Sequence, residues 1–277
     1  MLKARTKLGK YRIERKIGEG GFAVVYRAYD LIEDIPVALK IPHSRFLNKK
    51  SIGEFKREVR IAASLEHPHI LPIKNAMFIG KLFVIASPLG EESLADRLTR
   101  RLALRTALSF TEQMVSAVAF AHASNIIHRD IKPDNFILYP EQEVKLSDFG
   151  IAKIAFQTRA LSAGGTGTLG YLAPEQALGK PTFRSDVFSL GLVLYRMFSG
   201  VLPEWPYKPL PGGEKLRRSA PPEFIDFLRK CIEVDERRRY QDGLKMLSAF
   251  ERIQPRFERY LSKKRRSKNG RPARRSG

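Results

Sequence analysis

The stretch "HRDIKPDN", residues 128–135, lies between "NII" at 125–127 and "FIL" at 136–138. Six of its eight residues are polar or charged. A strand-loop-strand reading puts them at the edge of a buried core, where unpaired charge is costly. What the loop holds those charges for is the question that decides the fold.

At 277 residues the chain is long enough for one large domain or two smaller lobes, with a substantial core. Its 43% hydrophobic and 29% charged residues argue for a folded protein rather than a disordered one. Cys231 is the single cysteine, so an intramolecular disulfide is impossible and a cytoplasmic setting is the simplest expectation. Patterned sequence begins by Tyr11, leaving no room for a signal peptide. No apolar run approaches the roughly 20 residues of a bilayer span, so no transmembrane segment is expected and the chain reads as soluble. The net charge is +21, and residues 262–277, "SKKRRSKNGRPARRSG", carry eight basic residues and no acidic ones. Lacking large apolar side chains to offset the entropy of ordering, that segment reads as disordered. It is either a nucleic-acid or anionic-surface contact or a solubilising end with weak, salt-sensitive stickiness.

The first third reads as strands. "YRIERKI" alternates at period two, "FAVVYRAYD" continues the pattern, and "IPVALKI" is rich in β-branched residues. Residues 51–65 instead place Phe55, Val59, Ala62 and Leu65 on one helical stripe, with Ser51 as N-cap and Glu54 as its capping-box partner. Pro68 breaks that helix, and "KLFVIA" reads as a further strand. After about residue 93 the period becomes helical, in a long segment through Leu104, Leu108, Val115 and Val118, then in "DVFSLGLVLYRMF" and "EFIDFLRKCI". The linker falls near "SPLGEES", residues 87–93.

"GEGGFAVV" follows one strand and opens another, so Gly18 and Gly20 are not the dinucleotide fingerprint, which needs a strand-to-helix turn. Gly18, Gly20 and Gly21 let backbone N–H groups approach a phosphate closely. Taken alone, such a hairpin is more often a structural turn. Lys40, in "VALKI", is an ammonium that such a phosphate would need, although a lone strand lysine usually faces solvent. A partner carboxylate would fix its position. Glu58 on the following helix is the candidate and Glu54 the rival.

"GEGGFAVV", "VALK", the helix glutamate, "HRDIKPDN", "DFG", "APE" and "SDVFSLG" occur in the order and at about the spacing of the Hanks-type, or eukaryotic-type, serine/threonine protein kinases, and the chain resembles that family over about residues 8–247. Its flavour is similar to the soluble bacterial members. The resemblance implies an α+β, bilobal fold: a short extension (1–8), a small β-rich N-lobe with one helix (9–87), a larger helical C-lobe (88–252) and a basic, disordered tail (253–277). It implies ATP- and Mg2+-dependent transfer of the γ-phosphate to Ser or Thr hydroxyls of protein substrates, with autophosphorylation of the activation loop, by a monomer or transient dimer.

The opening loop then has a charged ligand to meet, since phosphoryl transfer is mostly positioning and electrostatic stabilisation. By resemblance, Asp130 orients the substrate hydroxyl and accepts its proton, and Lys132 meets the γ-phosphate. Asn135 and Asp148 hold magnesium, a hard cation suited to oxygen ligands. His128 braces the loop and Phe149 packs. Gly18, Glu19, Gly20, Gly21 and Phe22 cover the phosphates beside Lys40. Val25 and Ala38 cover one face of the adenine and Ile137 the other. The backbone of Ala86, Ser87 and Pro88 meets its polar edge, and Ile85 guards the back of the pocket. Arg129 implies an activation segment, residues 148–175, organised by a phosphate, with Thr166 the first candidate and Ser162 and Thr158 the next. Thr168 resembles the threonine that bonds Asp130 and Lys132. Glu175 is expected to pair with Arg239, and Asp186 to anchor the catalytic-loop backbone.

Three features depart from the family pattern. Ala23 replaces the third glycine of the hairpin, at an expected cost in backbone freedom; the linker lacks the usual acidic-aromatic pair; and the proline-rich run from Val201 to Ser219 predicts a shrunken helix. The rival reading is a pseudokinase, a kinase-shaped module that binds nucleotide and partners. Lys40, Asp130, Lys132, Asn135 and Asp148 are all present, which favours the enzyme.

Overall fold

Period-two alternation builds a six-stranded antiparallel sheet from β1 (Lys7–Leu8), β2 (Tyr11–Glu19), β3 (Ala23–Asp30), β4 (Ile35–Pro42), β5 (Asn75–Ile79) and β6 (Leu82–Pro88), in the order β1-β2-β3-β4-β6-β5. The computed structural model describes residues 2–44, 49–149, 169–207 and 210–269; the side chains of 49–51, 54, 55, 58, 169 and 267–269 are left aside. One face of the sheet buries Tyr11, Ile13, Val24, Tyr26, Val37, Leu39, Ile41, Val84 and Ala86. The alternate residues take the other face. Register places Val25 opposite Lys40 and Lys40 opposite Ile85, so these three side chains point the same way. Helix α1 (Lys49–Ala63) covers that face by setting Val59, with Phe22, against Phe83 and Ile85. Ser51 lies inside α1 rather than at its cap, because the helix already runs at Lys49.

A second, three-stranded sheet follows from β7 (Glu92–Ser93), β8 (Phe136–Tyr139) and β9 (Glu143–Leu146). Backbone hydrogen bonds beside His69–Leu71 stitch it to the first half of the chain. Leu71 N–H donates to Leu146 O and Leu146 N–H to His69 O, both at 2.9 Å.

The remaining helices are α2 (Leu94–Arg97), α3 (Leu104–Ala123), α4 (Pro174–Ala177), α5 (Phe183–Ser199), α6 (Gly213–Ser219), α7 (Pro222–Cys231) and α8 (Gly243–Asn269). Helix α5 is apolar almost all round and is buried on nearly every side, as such a helix must be. Phe198 of α5, Phe224 of α7 and Phe257 of α8 meet in one aromatic cluster, with ring centroids 4.7–5.5 Å apart. The run from Val201 to Ser219 yields only the seven-residue α6.

The sequence reading of the tail needs correction. Residues 253–269 are the second half of α8, not disordered chain. Phe257 and Leu261 are 0% and 7% exposed, and Ile253 packs beside them, a stripe at helical spacing that offsets the entropy of ordering. Beyond Leu261 the stripe ends, yet the helix continues through lysines and arginines, which are good helix formers. Residues 270–277 lie outside the described residues. Among those described, no helix is long and apolar enough to cross a membrane.

Candidate active site

Asp186, wholly buried on α5, fixes the loop of residues 128–135. Its carboxylate accepts hydrogen bonds from His128 N–H at 2.6 Å, Arg129 N–H at 2.8 Å and His122 Nε2 at 3.0 Å. Gly243 N–H donates to His122 Nδ1 at 2.7 Å, so the His122 proton sits on Nε2 and faces Asp186. His128 behaves alike: its Nδ1 accepts from Asp130 N–H at 3.2 Å, leaving Nε2–H to donate to Ser147 O at 2.8 Å. Its ring also packs edge-on against Phe149, 4.7 Å away. The loop is thus bolted to α5 on one side and to the segment before Asp148 on the other.

Two residues of this frame carry backbone strain. Arg129 and Asp148 have φ of 69° and 65°, in the left-handed region that non-glycine residues seldom enter. Arg129 is held there at both ends, by Asp186 on its N–H and by Gln176 Nε2 donating to its carbonyl at 2.5 Å. Among the described residues the buried Arg129 Nε–H has no acceptor, a costly state that an anion would relieve.

Asp130, Lys132 and Asn135 converge. Lys132 Nζ lies 3.0 Å from Asp130 Oδ2, and Asn135 Nδ2 donates to both Asp130 O (2.7 Å) and Asp130 Oδ2 (3.1 Å). These two bonds orient the Asn135 amide so that Oδ1 remains to accept a cation. Lys40, from β4, reaches across to Asp148, with Nζ 2.6 Å from Oδ1. Burial would raise the Asp148 pKa, but Lys40, through its charge and hydrogen bond, with smaller help from His128 and Lys132, overcomes this and holds the carboxyl below its usual range, so it is ionised at neutral pH. The side chains of Glu58 and Glu54 lie outside the described residues, as do Thr158, Ser162, Thr166 and Thr168.

The glycine hairpin turns between β2 and β3, where Gly20 N–H donates to Ala23 O at 2.9 Å. Added side chains on Gly20 or Gly21 would meet nothing within 4 Å, so there is open space around the hairpin tip. Glu19 is engaged with Lys16 at 2.8 Å. Phe22 turns inward, and His43 braces the tip through Gly20 O (3.0 Å). Ala23 is buried and is not among the residues of positive φ, so its methyl imposes no backbone cost there.

The linker departs from expectation. Ala86, Ser87 and Pro88 lie inside β6, paired as far as Val37 opposite Pro88, and Ala86 O accepts from Lys74 N–H at 2.9 Å. Backbone without ladder partners begins after Pro88, one residue or more later than the sequence suggests. Ala38 sits opposite Ser87 on the Lys40 face, and Ile137 on β8 lies against Gly90, where any side chain would collide with it. Tyr139 donates its hydroxyl to Pro88 O at 2.8 Å.

Glu175, which starts α4, meets Arg239 in a bidentate pair at 2.8 and 3.0 Å. All five guanidinium N–H groups of Arg239 are used, the others on the carbonyls of Glu233, Val234 and Arg184. The Glu175 carboxyl is raised by burial, but Arg239 and the Ser185 hydroxyl (2.6 Å) overcome that and hold it below its ordinary value. His122, Ser147, Gln176 and His43 are supporting residues that sequence reading missed, because nothing in their local sequence marks a partner so far along the chain.

Residues 11–249 match the family model described as protein kinase domain. Over 209 residues the chain is 38% identical to serine/threonine-protein kinase PrkC of Bacillus subtilis, covering 73% of this chain and 32% of that protein. It is 38% identical to PknA of Mycobacterium tuberculosis, covering 72% of this chain and 48% of that one. With pkn3 of Myxococcus xanthus it shares 36% over 214 residues, 72% of this chain and 39% of that protein. The chain therefore spans less than half the length of these relatives. The crystal structure of the Mycobacterium tuberculosis PknI kinase domain superposes with a TM-score of 0.69 at 22% identity, covering 91% of this chain and 99% of that one, a likeness of fold. With its family model spanning most of the sequence, the chain belongs to the protein kinase domain family.

Proposed function

We propose that the protein is a serine/threonine protein kinase that uses ATP and Mg2+. The observation that carries this is the 2.6 Å contact of Lys40 with Asp148, beside the cluster of Asp130, Lys132 and Asn135. A cation on β4 and the carboxylate of "DFG" face each other where a triphosphate and its metal would separate them. The donor set suits magnesium: an ionised carboxylate oxygen of Asp148 and the amide oxygen of Asn135, both hard ligands, with phosphate and water to complete the shell. Among the described residues, no group of three or more His, Cys, Asp or Glu is placed to bind a metal. When bound, the metal would neutralise charge on the phosphates.

In this reading Asp130 accepts the proton of a Ser or Thr hydroxyl as its oxygen forms a bond to phosphorus, and the bond to the departing diphosphate breaks. Lys132, 3.0 Å from Asp130, offsets negative charge on the group being transferred. The glycine hairpin and Lys40 position the phosphates. The orphan Arg129 Nε favours an activating phosphate on Thr166, Ser162 or Thr158. The names of PrkC, PknA and pkn3 support Ser/Thr as acceptors.

Incubation with labelled ATP and Mg2+, followed by mass spectrometry, tests the reading. Phosphate on Ser or Thr is expected, including within residues 158–168, while product confined to tyrosine would overturn it. Asp130→Asn should slow transfer about 10²–10⁴-fold, the usual worth of a positioned general base. Asp148→Asn should abolish the response to Mg2+.

A further inference from the structure

A cleft of about 300 Å3 lies between the end of α7 and the first half of α8, lined by Lys230, Tyr240, Gln241, Lys245, Ala249 and Arg252. None of these residues belongs to the nucleotide or catalytic site. Its charge is lopsided. Arg239 forms part of the wall but is spent on Glu175 and on carbonyls. No carboxylate among the described residues pairs with Lys230, Lys245 or Arg252. Lys230 Nζ lies 4.6 Å from the centroid of the Tyr240 ring, and Arg252 uses Nε on Ser248 O at 2.9 Å, which leaves its terminal nitrogens for a ligand. Asp242, next to Gln241 in sequence, is engaged with the backbone N–H of Lys245 at 2.8 Å.

We propose that this cleft binds a phosphate monoester. Three exposed cations around one open cleft call for more than a single negative charge. A monoester supplies about −1.5 to −2 at neutral pH with three strong acceptor oxygens and so leaves about one of the three cations unmatched, where one carboxylate leaves two. The volume is at the lower end for ligand pockets and suits a phosphorylated side chain or small metabolite rather than a helix. The Gln241 amide and the Tyr240 rim supply polar contacts beside the phosphate. The ester comes either free in solution or on a phosphoserine of a protein chain.

Calorimetric titration of the intact chain at physiological salt distinguishes these sources, using inorganic phosphate, a phosphoserine peptide and the same peptide unphosphorylated. Saturable binding is expected for phosphate or the phosphopeptide and not for the unphosphorylated peptide. Response to the phosphopeptide alone assigns a side-chain ligand, and response to both assigns the anion itself. The double variant Lys245→Glu, Arg252→Glu should weaken binding at least about tenfold, the worth of one charge-assisted hydrogen bond. Because the chain carries +21, nonspecific attraction is the competing explanation. Arg259→Glu, Lys263→Glu makes the same change of charge on the exposed part of α8 and should leave affinity within about twofold. Equal losses in the two double variants, or no saturable binding by the parent chain, would overturn the proposal. Thermal melting of each variant separates loss of the site from loss of fold, and no readout requires turnover.

Discussion

Asp186 takes three hydrogen bonds while wholly buried, so its removal leaves two backbone N–H groups and an imidazole N–H without an acceptor. Asp186→Ala should cost about 3–5 kcal/mol in urea unfolding, the range for breaking a buried charged network. Phosphoryl transfer should fall as well, because His128 and Arg129 lose their anchor. The Glu175–Arg239 pair gives the chain a pH dependence. The native Glu175 pKa is depressed, so its stabilisation is complete above the unfolded value, about 4.3, and is lost as pH falls through the native value. Glu175→Gln should flatten the acid limb of urea midpoint plotted against pH; an unchanged limb would exclude the pair as its source. Lys40, Asp130, Asn135 and Asp148 were legible in sequence because their motifs are short and contiguous. The roles of His122 and Gln176 were not, since a hydrogen bond to a residue tens of positions away leaves no local trace.

Helix α8 meets α3 where Gly243 touches backbone. A Cβ there would stand 2.8 Å from Ala119 Cα and N, and 2.9 Å from Val118 C, so the helices can approach only without it. Gly243→Ala should cost about 1–3 kcal/mol by forcing these helices apart, as overpacking does, and thermal unfolding measures it. The sheet and the long helices were readable from periodicity, because burial of one face imposes period two on strands and 3.6 on helices. The end of α8 was hidden: Phe257 and Leu261 sit among arginines and lysines, and charge counting overlooked their spacing. The linker register was lost for another reason. "FVIASPLG" is apolar on both parities, so pairing with β4 decides where β6 stops.

Two truncations separate the helical and the basic contributions of the C-terminus across the whole molecule. Removing residues 262–277 keeps Phe257 and Leu261 and should leave autophosphorylation and the melting temperature close to those of the intact chain. Removing residues 253–277 empties the Phe257 site against Phe198 and Phe224, and should cost at least about 3–5 kcal/mol. Equal melting temperatures for the two would deny the helix its part in the core. The stitch between His69–Leu71 and Leu146 has a mechanical consequence. Together with the Tyr139–Pro88 hydrogen bond it ties the six-stranded sheet to the three-stranded one, so relative motion of the two sheets should be least beside Leu146 and greatest at the distant hairpin tip. Asp148 lies two residues past Leu146, so opening and closing of the cleft should displace it least and Gly20 and Gly21 most, which would place control of access at the mouth rather than the root.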